Sequence, residues 1–167
     1  MEKSVDLYEG LNEEKNVYVL RMLNVNGEMG NDLVFGVYLT HEEARHNGLT
    51  LRRLDGKTWP DFEVKRESGR ISDPRFLRHF IEALVWKMSN AASYKEQIHA
   101  TMFESPEDEE YFRERADVAG TRIEDIRRLL SEISAACHVD IEFPPVEEIV
   151  IFNSIRDNLK ITCNHAE

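Results

Sequence analysis

Two histidines flank a pair of carboxylates in His41-Glu42-Glu43-Ala44-Arg45-His46, the residue types of a zinc-protease helix. That chemistry requires histidines at i and i+4, so that both imidazoles share one helical face. Here the spacing is i+5, which sets the two rings about 140° apart on an ideal helix. The segment therefore reads as the solvated face of a short helix.

Soft ligands occur again as Cys137-His138 and Cys163-x-His165, each beside a strand-like segment. Neither pair has the two-to-four-residue Cys spacing of a zinc site, and neighbours along a strand point to opposite faces. No metal and no cofactor is expected. Cys137 is read as a buried thiol at a helix end, and residues 163–165 as an exposed tail. Neither thiol carries a local signature of nucleophilic catalysis, so an enzyme is the less favoured reading. Gly27 and Gly30 lack the Lys-Ser/Thr ending of a phosphate loop, and they read as a hairpin turn.

The acidic run Glu104, Glu107, Asp108, Glu109 and Glu110 surrounds a helix start, where the helix dipole favours negative charge. It also forms a patch that could dock on a basic protein. Interleaved Arg113, Arg115, Arg122, Arg127 and Arg128 limit any mimicry of nucleic acid to a local one.

Trp86 is the other candidate. Phe76, Leu77, Phe80, Ile81, Leu84, Val85 and Met88 form one apolar stripe, and Trp86 falls nearly opposite it with Arg75, His79, Ala83 and Asn90. A tryptophan turned away from one core must find another cover, either a neighbouring element or a partner. The candidate partner-binding set is Trp86, His79, Arg75, Glu107, Asp108, Glu109 and Glu110. Trp59, beside Pro60, caps a sheet or anchors a rim.

The elements that must position these residues follow from periodicity. Residues 17–23 and 33–39 read as strands around an Asn-Gly turn at 24–32, after a polar start with helical spacing at Leu7, Tyr8 and Leu11. Thr40 with Glu43 opens a short helix that Asn47-Gly48 should stop. A second hairpin is expected from Leu49–Leu54, through Asp55-Gly56, to Phe62–Val64, with Pro60 marking an edge. Ser72-Asp73-Pro74 caps a helix with a break near Ser89-Asn90 or a run to about Phe103. Ser105-Pro106 opens another helix, ending at Gly120, and Thr121 with Glu124 caps a third. Residues 138–143, 148–152 and 159–163 read as strands, with a turn at Asp157-Asn158.

The order implies an α+β fold: a mainly antiparallel sheet from N- and C-terminal strands, with a central layer of about three helices. A single domain over residues 1–167 is expected, with 72–137 as a helical layer or subdomain.

Composition narrows the function. Thirty-two acids against 21 bases give a net charge of −11, which disfavours direct nucleic-acid or anionic-membrane binding. No apolar run approaches the length of a membrane span, and the N-terminal residues lack a signal peptide's apolar region, so a cytoplasmic protein with reduced thiols is expected. The leading expectation is a non-enzymatic acidic module that binds a basic, nucleic-acid-handling protein, in the class of inhibitors, immunity proteins, antitoxins and phage-encoded inhibitors. A homodimer through the Trp86 face is a further option. The alternative is a small-molecule or nucleotide-binding domain, or an enzyme, with a pocket between sheet and helices.

Overall fold

The computed structural model describes residues 10–23 and 33–164. Strands β1 (Lys15–Leu23), β2 (Leu33–Tyr38) and β3 (Asp61–Gly69) form one antiparallel sheet in the order β2-β1-β3. The central position of β1 follows from its composition: Val17, Val19, Leu20 and Met22 are buried. Edge strand β3 is polar and begins directly after Pro60, as the proline requires. The first turn, at 24–32, and the helical spacing at Leu7 and Tyr8 lie outside the described residues.

Helix α1 (His41–Leu54) connects β2 to β3. Its start is the expected one, since Thr40 accepts from the Glu43 amide at 3.1 Å. Its end is not. Residues 49–54 are helical rather than a strand, and Gly48 lies inside the helix instead of stopping it. Ala44, Gly48 and Leu51, spaced i, i+4, i+7, face the sheet. Gly48 serves close approach rather than a left-handed cap: a Cβ there would stand 2.6 Å from the Phe62 ring. Asp55 still forms a turn, accepting from the Thr58 amide at 3.2 Å.

Helix α2 (Pro74–Ala100) starts at the Asp73 cap and follows the longer of the two expected courses, running past Ser89-Asn90 to end three residues short of Phe103. The sheet packs on one side of it, α3 (Pro106–Cys137) on another, and the C-terminal segment on a third. That is why both the apolar stripe and residues off it, Glu82, Ala83 and Ser89, are buried. Helix α3 begins at the Ser105 cap and passes through Gly120. The Gly120 stop and the Thr121 capping box are therefore not formed. Thr121 instead donates back to the Asp117 carbonyl at 3.2 Å, the mid-helix habit of a hydroxyl. Lys95 of the antiparallel α2 covers Gly120, so helix pairing overrides the local stop.

After α3, left-handed His138 leads into β4 (Val139–Glu142). The expected strand at 148–152 is a 3₁₀ turn (Val146–Glu148) followed by α4 (Phe152–Asn158). Val146, Ile149, Phe152 and Ile155 are buried at helical spacing, and no strand of the described residues pairs with the segment. The expected turn at Asp157-Asn158 is the end of α4. Strand β5 (Lys160–Cys163) pairs with β4 in a separate two-stranded sheet. The α+β class and antiparallel pairing are as the sequence indicates, but the N- and C-terminal strands form two sheets rather than one.

The C-terminal segment is bolted to α2 through Glu82, a carboxylate only 1% exposed. Arg156 of α4 approaches it at 3.1 Å and Arg78, one turn earlier on α2, at 3.5 Å. Arg78 also donates to the carbonyls of Arg156 and Leu159, at 2.9 and 3.3 Å.

Replacing Glu82 by Ala should cost about 1–3 kcal/mol in urea unfolding, because the part-exposed arginines lose their shared hydrogen-bonded counter-ion. The two mid-helix glycines should respond with opposite signs. Gly48→Ala should destabilise by about 1–3 kcal/mol through collision with Phe62. Gly120→Ala, whose Cβ would meet the flexible Lys95 side chain at ordinary contact distances from 3.4 Å, should stabilise by about 1 kcal/mol.

Candidate interaction surface at the tip of the helical hairpin

Helices α2 and α3 are 27 and 32 residues long, and their ends remote from the sheets outrun the rest of the fold. Between Ala91 and Ala116, Ile98 is the sole fully buried residue. The distal arm is therefore held by its own contacts. Phe103, after the turn, stacks on Phe112 with centroids 5.4 Å apart, and Tyr111 meets Phe112 edge-on at 5.0 Å. Arg115 ties the two helices, donating to the hydroxyls of Tyr94 at 3.2 Å and Tyr111 at 3.1 Å. Ser105 caps α3 by accepting from the Asp108 amide at 3.1 Å.

What this arm shows to solvent combines charge with apolar surface. Met102 is 94% exposed at the apex, with Tyr111 at 53% and Val118 at 59% on α3. From residue 92 to 118 the chain carries eight carboxylates against three Lys and Arg, close to half of the net charge of −11 on under a fifth of its length. A cleft of about 580 Å³ runs between the helices there, lined by Ile98, His99, Phe103, Glu109, Arg113 and Asp117. Glu109 pairs with Arg113 at 2.6 Å along the helix. Glu107, Asp108 and Glu110 are exposed.

Of the sequence candidates, the structure places the acidic run on this arm and the Trp86 set elsewhere. Trp86 is half-buried under elements of the same chain. Its ring meets Tyr38 of β2 at 6.2 Å and Phe152 of α4 at 5.5 Å. Its Nε1 is buried and has no hydrogen-bond partner among the described residues. The second cover that Trp86 requires is thus the sheet and the C-terminal helix. His79 bridges to β3 through Nδ1 and Glu67 Oε1 at 2.8 Å, while Arg75 is exposed in the first turn of α2. Trp86 and Ile98, which lies level with Glu109, stand about 18 Å apart along the helix, so the two candidate groups do not form one surface. Trp59 packs against the core.

Sequence reasoning missed Met102, Phe103, Tyr111 and Phe112 as a group. The available signal was the excess apolar residues at a helix-helix turn, where polar residues normally stand. Exposed His41 meets Tyr18 edge-on at 5.9 Å. Cys137 lies 3.8 Å from the Ile71 carbonyl, and burial pushes its thiol pKa up, away from nucleophilic thiolate. Among the described residues, no three His, Cys, Asp or Glu side chains are grouped to hold a metal ion, and His165 lies outside them. No described helix is long and apolar enough to cross a membrane.

Compared with protein-family models, curated proteins and solved structures, the chain matches none.

The Trp86 cluster generates a pH prediction through Tyr38. Burial raises the Tyr38 phenol pKa, Glu43 adds to the rise, and Arg156 opposes it. The folded state thus holds this proton more tightly than the unfolded one. Its contribution is complete below the ordinary phenol pKa of about 10 and is lost as the pH climbs above it. Urea midpoints measured from about pH 8 to about pH 11 should fall more steeply for the native chain than for Tyr38→Phe.

Proposed function

We propose that the chain is a non-enzymatic protein-binding module that sets the tip of its α2–α3 hairpin against a basic surface of another protein. The observation that carries this reading is the coincidence, on one protruding arm, of exposed Met102 and Tyr111 with a concentrated negative charge. Exposed aromatic and Met side chains are the residue types that supply binding energy at interface centres. Surrounding carboxylates supply steering and partner choice, and they repel other acidic surfaces. The aromatic packing beneath the tip keeps this surface ordered before binding, which lowers the entropy lost on association.

A basic target is most often a protein that handles nucleic acid, since such proteins carry Lys and Arg to meet phosphates. The reading is therefore an inhibitor, in the functional class of immunity proteins, antitoxins and phage-encoded inhibitors, that covers such a surface. Charge alone would give a weak, salt-sensitive contact, so the apolar apex is what makes the docking specific.

The test is affinity capture from the source cell's lysate at low and moderate salt, with paired substitutions on the arm. One basic protein should be retained, less strongly as salt rises. Glu107→Lys with Glu110→Lys should weaken it chiefly at low salt. Met102→Ala with Tyr111→Ala should weaken it at both salts, by tenfold or more. Circular dichroism should show the folded helix content in all variants. Retention that ignores both pairs of substitutions would falsify the assignment to this arm.

A further inference from the structure

A second cleft, of about 450 Å³, opens at the opposite end of the helical pair, between the start of α2, the end of α3 and the C-terminal sheet. Its floor includes Ile71, Leu77 and Val139, all buried, and Cys163 of β5 stands at its open side. This size lies within the range of small-molecule sites, which pair an apolar lining with a few placed polar groups. In a chain with 32 acidic residues, no carboxylate of the described residues lines it.

Among the described residues, the one charged residue lining it is Arg78. This guanidinium is held rather than waving: Nη2 donates to two carbonyls of the C-terminal segment, and Nε faces Glu82 at 3.5 Å. Glu82 lies closer to Arg156, at 3.1 Å, so Arg78 receives only part of that carboxylate's charge. Its Nη1 makes no hydrogen bond to the described residues, and the side chain is 39% exposed. A fixed, partly neutralised guanidinium beside an apolar floor is matched by a ligand with an anionic head and an apolar body. An ammonium head would meet a like charge, and a neutral head would leave Arg78 as it is.

We propose that this cleft binds a small amphipathic carboxylate, with its acyl or aryl body on the Ile71–Leu77–Val139 floor and its carboxylate on Arg78. The assignment is independent of the hairpin tip. It would add a ligand-responsive site at the far end of the same two helices.

Octanoate, octanol and octylammonium serve as probes for the full-length chain. Binding is followed by amide chemical shifts and by the rate at which iodoacetamide alkylates Cys163. Octanoate should bind saturably, shift resonances around the cleft and slow alkylation. The alcohol and the ammonium should bind at least tenfold more weakly. Arg78→Gln should reduce octanoate affinity at least tenfold. Because Arg78 also secures the C-terminal segment, Cys163→Trp provides a second variant: it fills the cleft from an exposed position and should abolish binding in a folded protein. Equal binding of octanol and octanoate overturns the proposal, as does binding that survives Cys163→Trp or an absence of any octanoate binding. Glu107→Lys with Glu110→Lys should leave octanoate affinity unchanged, which separates this site from the hairpin tip.

Discussion

A carboxylate buried in the middle of the longest-range helix contact sets the terms for this fold. Glu82 lies on α2 with almost no solvent exposure, and an isolated charge there would cost several kcal/mol in lost hydration. It is tolerated because Arg156 comes from α4 and Arg78 from the preceding turn of α2. Arg78 in turn satisfies two carbonyls at the end of α4. The position of the C-terminal segment is therefore dictated by where counter-charge is required, in addition to where Phe152 and Ile155 can be buried. An ionic tie of this kind adds little net stability compared with an apolar replacement. It does penalise arrangements in which α4 sits elsewhere, because they leave Glu82 unpaired.

With α4 fixed, α2 is enclosed on its remaining sides. The sheet covers Trp86 through Tyr38, and α3 covers the opposite stripe. The enclosure ends near Ala91, where the C-terminal segment and the sheet stop but α2 and α3 continue. Beyond that point a two-helix arm has one partner per helix, so it cannot bury much apolar surface. It relies on the Phe103–Phe112 stack, the Arg115 hydrogen bonds and a capped, acid-rich helix start. The same geometry that makes the arm costly to hold presents Met102 and Tyr111 to solvent beside the acidic residues.

Much of the fold was legible in local chemistry. Thr40, Asp73 and Ser105 mark helix starts because a side-chain oxygen must satisfy an amide that has no partner within the helix. Strands β1 and β5 follow from β-branched and aromatic alternation. The errors fall at helix ends and at the short apolar run 148–152. Gly48 and Gly120 have the residue type of a stop, yet each lies against a neighbour that rewards continuation, the Phe62 ring in one case and Lys95 in the other. Residues 149–155 are apolar enough for a strand, but the segment packs on a helix and pairs with no strand of the described residues.

The acidic arm shows the same division. Its composition, its Ser-Pro start and its apolar turn residues are all in the sequence, as are the α+β class and the antiparallel tendency of the strands. They are local properties, set by capping, side-chain periodicity and charge. Tertiary structure alone decided that Trp86 packs against Tyr38 and Phe152, and that the terminal strands form two sheets. It also decided that the hairpin tip stands clear of the core and that Arg78 lines a cleft where no carboxylate of the described residues stands. Each depends on which surfaces, distant in the chain, compete to bury one another. That competition is settled by packing and by the pairing of buried charge, neither of which any short window of sequence contains.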